Sequence, residues 1–183
     1  MSEEALVNAE TRASVPSDPA PGDSAPRDPA PGAPGVPGAR SSATAHAESD
    51  NWVAANGSGE LADAMGIEFT EFTIERTVGR MPVVGNRQTV GFMHGGAYVV
   101  LGESLGSMAA NLHAGPGRLA VGVDINATHT RSATQGYVTG VCTPVHLGRT
   151  LTVHEIVVTD EAGKRCCTMR ITNVIKDMPA DAS

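Results

Sequence analysis

A chain of 183 residues with only six aromatic residues can build one modest core, and its net charge of -7 is spread unevenly. Residues 1–50 carry eight acids against three arginines and residues 51–183 twelve acids against ten basic residues, so neither part offers the basic patch with interleaved aromatics of a nucleic-acid binder. The start, Met1-Ser2-Glu3-Glu4, lacks a basic and apolar leader, and no apolar run is long enough to span a bilayer; no signal peptide or membrane anchor is expected, and the cytoplasm is the expected compartment.

The first segment in chain order cannot bury a core. Residues 1–50 hold eight of the twelve prolines and no aromatic residue, and Asp18-Pro19-Ala20-Pro21-Gly22 recurs as Asp28-Pro29-Ala30-Pro31-Gly32. That composition predicts a disordered, solvated tail, followed by a folded domain over 51–178 and a short tail at 179–183. Within the domain, residues 59–65 read as a short helix stopped by Gly66, and strands are expected near 67–73 and 77–84.

A loop over 86–93 leads to a segment of different character. From Gly95 to Leu112 the apolar residues Tyr98, Leu101, Leu105, Met108 and Leu112 recur at intervals of three and four, which predicts an amphipathic helix. After Pro116-Gly117 the period becomes two: Val121, Val123, Ile125 and Ala127 alternate with Gly122, Asp124, Asn126 and Thr128. Further strands are expected at 137–146 and 150–159. The turn Asp160-Glu161-Ala162-Gly163 then leads to a last strand in which Cys167, Met169 and Ile171 alternate with Cys166, Thr168 and Arg170. Four hairpin-linked strands and one helix that must bury a stripe give an α+β class, an antiparallel sheet packed against or wrapped around that helix. The three cysteines, two of them adjacent, make no disulfide framework and read as buried or half-buried thiols.

Chemistry concentrates on the helix. Glu103 is the only charged residue between Gly95 and Leu112, and three and four positions away it has Val99, Val100, Gly106 and Ser107, so no helix ion pair is available to it. Such a carboxylate either points into water or sits in a pocket suited to a general base or nucleophile. Gly102 and Gly106 each weaken a helix by about 1 kcal/mol relative to Ala, which is tolerated where something must approach closely. His94-Gly95-Gly96 places unpaired backbone N–H groups at the helix start, suited to polarising a carbonyl oxygen, though an ordinary glycine-rich helix start would look the same. Gly95 and Glu103 are eight residues apart, roughly 12 Å along one helix, so both can act on one reacting carbon only if they come from different subunits.

The run Asn86-Arg87-Gln88-Thr89-Val90-Gly91-Phe92-Met93-His94-Gly95-Gly96-Ala97, followed by Leu101-Gly102-Glu103-Ser104-Leu105-Gly106-Ser107, resembles the signature of PaaI-type hotdog thioesterases. That group includes bacterial hydroxybenzoyl-CoA and dihydroxynaphthoyl-CoA thioesterases, and the similarity covers roughly residues 60–176. It implies a hotdog fold, a sheet wrapped around a central helix, and hydrolysis of an acyl-CoA to free acid and CoA. It further implies that Glu103 acts as nucleophile or general base, that the Gly95 N–H polarises the carbonyl with help from His94, and that Gln88 positions the carbonyl or the attacking water. By the same resemblance Gly122, His129, Arg131 and Ser132, and His146, Leu147, Gly148 and Arg149, contact CoA, where cationic groups meet phosphates. Ser107 joins the substrate-contacting set at a position where related enzymes carry varied polar residues. No cofactor or metal is implied beyond the CoA of the substrate. The assembly implied is a homo-oligomer with shared sites, which the family favours as a tetramer. Phe92, Met93 and Tyr98 permit an aromatic acyl group such as hydroxybenzoyl, phenylacetyl or dihydroxynaphthoyl without excluding a medium aliphatic one.

Other readings are weaker. Gly102-Glu103-Ser104-Leu105-Gly106 matches the G-x-S-x-G nucleophile elbow, but that motif needs a strand, a sharp turn and a helix, whereas here it lies inside a periodic helix. The six histidines form neither H-E-x-x-H nor a pairing with C-x-x-C, and there is no P-loop. Two alternatives remain: a hotdog hydratase or dehydratase with His94 as base, which would release no thiol, and a non-catalytic acyl-CoA-binding module.

Overall fold

The computed structural model describes residues 57–178; the tails expected over 1–50 and 179–183 lie outside the described residues. A short helix α1 (Glu60–Ala64) leads to strands β1 (Glu68–Phe72) and β2 (Thr77–Pro82), a 20-residue helix α2 (Gly95–Ala114), and strands β3 (Arg118–His129), β4 (Tyr137–Leu147), β5 (Leu151–Asp160) and β6 (Arg165–Asp177). The six strands form one antiparallel sheet in the order β1-β2-β4-β5-β6-β3.

α2 begins at His94, whose side chain accepts a hydrogen bond from Gly96 N–H, and stops at Gly115, where φ is 75°. At about 1.5 Å per residue it is roughly 30 Å long. Tyr98, Leu101, Leu105 and Met108 are buried as the stripe predicts, and Leu112 is half-buried. Ala97, Ala109 and Ala110 are also buried, because the sheet curls round the helix and covers more than one face.

Glycines permit that close wrapping. A Cβ on Gly79 or Gly140 would lie 2.9 Å and 2.7 Å from the methyl groups of Leu105, and one on Gly102 would lie 2.6 Å from Met169. The glycines flanking Glu103 thus receive side chains of β6, not a ligand. The core is completed by Met81, Val138, Ile156, Val158, Met169 and Ile171.

One expectation fails. β3 and β4 are not joined as a hairpin: β3 pairs with the last strand, β6, at the far edge. Alternation reports which face of a strand is buried and carries nothing about its partner. The connection 130–136 therefore crosses the sheet past the start of α2, where Ala133 N–H donates to Tyr98 Oη at 3.3 Å and Met93 N–H donates to the Ala133 carbonyl at 2.9 Å. That crossing brings Thr130, Arg131 and Ser132 to the helix start.

Candidate active site

The site residues fall into three groups along α2. At its start, Gly95 makes its N–H available: no hydrogen-bond partner for it exists among the described residues. His94 Nδ1 accepts from Gly96 N–H at 2.9 Å, so that nitrogen carries no proton and Nε2 remains to donate. Gln88 closes a turn in which its own N–H donates to Phe92 O at 2.7 Å and its carbonyl accepts from Gly91 N–H at 2.9 Å. Together Gln88, Met93, Gly95, Tyr98, His129, Thr130, Arg131 and Ser132 line a cavity of about 570 Å³. His129 packs its ring 5.5 Å from that of Tyr98, and its Nε2 would lie 3.2 Å from a Cβ at Gly95. Burial, reinforced by Cys166, pushes the Tyr98 hydroxyl up to about 12, so it stays protonated. On the other side of the helix start, Met65, Asn86, Arg87, His94, Ala97 and Val100 border a second cavity of about 420 Å³ with a largely apolar wall.

Glu103 occupies the middle of α2, half-buried, and makes no ion pair among the described residues. Ser107 Oγ donates to its Oε1 at 2.9 Å. The carboxylate rests against Gly122 of β3, where an added Cβ would be 2.7 Å from Oε1. This contact is held in register by Asn111, which donates to Ser107 O and Ala120 O and accepts from Ala120 N–H. A β-bulge interrupts β3 between Gly122 and Asp124, beside the carboxylate. Ser104, the serine of the elbow-like motif, spends its hydroxyl on Val100 O at 2.8 Å inside the helix and is no activated nucleophile.

The third group, His146, Leu147, Gly148 and Arg149, lies at the far end of α2. His113 Nε2 is 3.0 Å from Gly148 O, and Arg118 donates to Arg149 O at 2.8 Å. One chain therefore does not bring the two expected CoA-contacting segments together, nor Glu103 to Gly95. Sequence reasoning missed Thr130 on the cavity wall, and also Asn111 and Asn173 behind Glu103; Asn173 was detectable as a polar residue on the inward parity of β6. Among the described residues no group of His, Cys, Asp or Glu is placed to hold a metal ion, and no helix is long and apolar enough to cross a membrane.

Residues 90–167 match the model of the thioesterase superfamily. The proofreading thioesterase EntH of Cronobacter turicensis is 44% identical over 118 residues, which cover 64% of this chain and 86% of that protein. The chain belongs to the thioesterase superfamily. A thioesterase from Haemophilus influenzae superposes with a TM-score of 0.67 at 33% identity, covering 73% of this chain and 94% of its own. One from Pseudomonas aeruginosa, crystallised as a mutant, gives 0.66 at 37%, covering 70% and 94%. This protein is a hotdog-fold thioesterase, an enzyme that hydrolyses thioesters. Within the thioesterase, the sheet wraps α2 so that Gly95, Glu103 and Gly148 face three separate stations along one helix.

Proposed function

We propose that the thioesterase hydrolyses acyl-CoA thioesters, with an aromatic acyl group as the favoured class, in a site built by two subunits. The observation that carries this reading is a half-buried Glu103 carboxylate, roughly 12 Å along the same helix from the Gly95 N–H, with no cation beside the one and no acceptor for the other among the described residues. The N–H and the carboxylate are each suited to one half of the reaction, and a two-fold axis joins the halves.

The pairing of Gly95 with the partner's Glu103 fixes a register on both α2 and β3. On α2, antiparallel partners put one Gly95 opposite the other Glu103 when the axis passes at the level of Val99. On β3, Gly122 abuts Glu103 and His129 abuts Gly95, so bringing Gly122 opposite the partner's His129 centres the strand pair between Ile125 and Asn126. β3 is a 12-residue edge strand carrying exposed Leu119, Val121 and Val123, the last 59% exposed, as an unpaired edge awaiting a second copy would. The same axis sets one subunit's His146-to-Arg149 segment, beyond its own Glu103 along α2, outside the partner's cavity. His129 and Arg131 from one subunit and Arg149 from the other would then meet the CoA phosphates, and assembly of such dimers would give the tetramer.

In this arrangement the thioester carbonyl oxygen accepts from Gly95 N–H, with His94 Nε2–H and the Gln88 amide beside it. Glu103 either attacks the carbonyl carbon, forming an anhydride as CoA thiolate leaves, or takes a proton from the water that attacks it. Ser107 steadies the carboxylate, and the Gly95 dipole stabilises the developing oxyanion. The apolar cavity edged by Met65, Ala97 and Val100 suits an aromatic ring. CoA as leaving group and three free, buried cysteines fit a reducing cytoplasm.

The test is CoA release from 4-hydroxybenzoyl-, phenylacetyl-, dihydroxynaphthoyl- and medium-chain aliphatic acyl-CoAs by wild type, Glu103→Gln and Glu103→Ala. Turnover should drop by about a hundredfold or more in both variants. Activity surviving both substitutions would remove Glu103 from the mechanism, and a preference for the aliphatic thioesters would remove the aromatic assignment.

A further inference from the structure

The role proposed for Glu103 leaves unexplained a set of polar side chains buried behind it. β5 turns Thr152, His154, Ile156 and Val158 toward α2, and β6 turns Cys167, Met169, Ile171, Asn173 and Ile175. Thr152, His154 and Asn173 break an otherwise apolar face, and all three are fully buried. Thr152 and Asn173 are direct cross-strand partners, and His154 pairs with Ile171 one inward position along. Thr152 Oγ1, both His154 ring nitrogens and Asn173 Nδ2 have no hydrogen-bond partner among the described residues. Buried polar atoms are costly to leave unpaired, so their concentration on one patch of the core calls for a cause.

Asn173 reaches the site through Ser107. Its Oδ1 lies 3.5 Å from Ser107 Oγ, and that same Oγ is 2.9 Å from Glu103 Oε1. A serine hydroxyl has one proton. When Glu103 is a carboxylate it can only accept, so Ser107 gives that proton to Glu103 and turns lone pairs toward Asn173. The group facing it must then be an N–H. The two orientations of a side-chain amide fill the same volume, and turning it over replaces an oxygen-to-oxygen approach with N–H···O. The orphaned nitrogen is exchanged for a carbonyl oxygen, which tolerates an unfilled valence better.

We propose that Asn173 is a positioning residue for hydrolysis: its amide N–H donates to Ser107, whose hydroxyl donates to Glu103 and fixes the carboxylate against Gly122. Thr152, directly across the strand pair, belongs to the polar bed in which that amide is oriented. The inference rests on Glu103 being the acting carboxylate, and the test separates the two claims.

The measurement is kcat and KM for 4-hydroxybenzoyl-CoA, with thermal stability alongside, for Asn173→Leu, Ser107→Ala and the double variant. Leucine keeps the branching and the heavy-atom count and removes the donor, so folded Asn173→Leu should lower kcat about tenfold and leave KM within about twofold, whatever its melting temperature. In the Ser107→Ala background the same substitution should change kcat by less than about twofold, because the chain to Glu103 is already broken. A merely structural asparagine would instead lower stability and leave the kcat of folded enzyme alone. Folded Asn173→Leu with wild-type kcat overturns the proposal, as do losses that multiply independently in the double variant. If Asn173→Leu does not fold, Asn173→Ala carries the same comparison; if neither folds, the residue is structural and the proposal fails. Glu103→Gln run in parallel distinguishes the cases: full activity there sinks the underlying reading, whereas its loss beside an active Asn173→Leu sinks only the positioning role.

Discussion

Gly122→Ala is a sharp perturbation of the site because it adds one methyl group to a strand and aims it at a carboxylate. The new Cβ would start 2.7 Å from Glu103 Oε1, and ordinary van der Waals contact begins near 3.4 Å, so the carboxylate must retreat by about 0.7 Å. Ser107 donates to the same oxygen at 2.9 Å, and that bond is strained or lost in the retreat. Displacing a reacting group by 1 Å can cost about a hundredfold in rate, so a shift of this size should lower kcat by about ten- to a hundredfold, or roughly 1.4–2.7 kcal/mol. Stability should barely change, since the half-buried Glu103 side chain can move and alanine is no worse than glycine in a strand. The assay is kcat for CoA release beside the thermal midpoint. Folded Gly122→Ala enzyme with kcat within twofold of wild type would refute the claim that Glu103 works from its place against β3.

The helix glycines should separate by what they meet. A Cβ on Gly106 would fall well inside 3.0 Å of Cγ2 of fully buried, branched Ile171, so Gly106→Ala should destabilise by about 1–3 kcal/mol by denaturant titration. Gly102→Ala meets only the flexible end of Met169 and gains helix propensity, so its effect should stay within about 1 kcal/mol of zero. Burial, and secondarily His113, lowers the His154 pKa to about 4 from 6.5. The fold then binds its proton less readily than the unfolded chain does. Stability is full above about pH 6.5 and falls as the pH drops toward 4, by up to about 3 kcal/mol, and His154→Leu should flatten that slope in urea titrations at stepped pH. Burial pushes the Cys142 thiol up to about 12 and the Cys167 thiol up to about 11, so native enzyme should react with a thiol-specific dye only after unfolding. Rapid labelling of Cys142 or Cys167 in native protein would contradict their burial.

Much of this arrangement could be read from the residues because it is local. The stripe from Tyr98 to Met108 identified α2, and a single carboxylate without an oppositely charged residue three or four positions away marked Glu103. Period-two runs located every strand after the helix, although the last strand extends six residues past the run that marked it, to Asp177. Pairing was not local: nothing in the alternation of β3 distinguishes β4 from β6 as its neighbour, so the crossing of 130–136 over the helix start was invisible, and with it the wall formed by Thr130. The purpose of Gly102 and Gly106 was equally hidden, since composition cannot say whether a ligand or the methyl groups of Met169 and Ile171 fill the space. Asn173 was visible in principle, being polar at an inward position, but its bearing on Glu103 depends on β6 lying beneath Ser107.

The central claim is that Glu103 of one subunit acts on a thioester polarised by Gly95 of another, and a mixing experiment tests it directly. Gly95→Pro removes the N–H at the first helical position, where proline is tolerated, and Glu103→Gln removes the carboxylate. Each variant alone should be nearly inactive. Co-refolded in equal amounts, random pairing makes half the dimers mixed with one intact site of two, so activity should recover to about a quarter of wild type. Mixtures that stay as inactive as their components, although subunit exchange is demonstrated, would contradict the shared site.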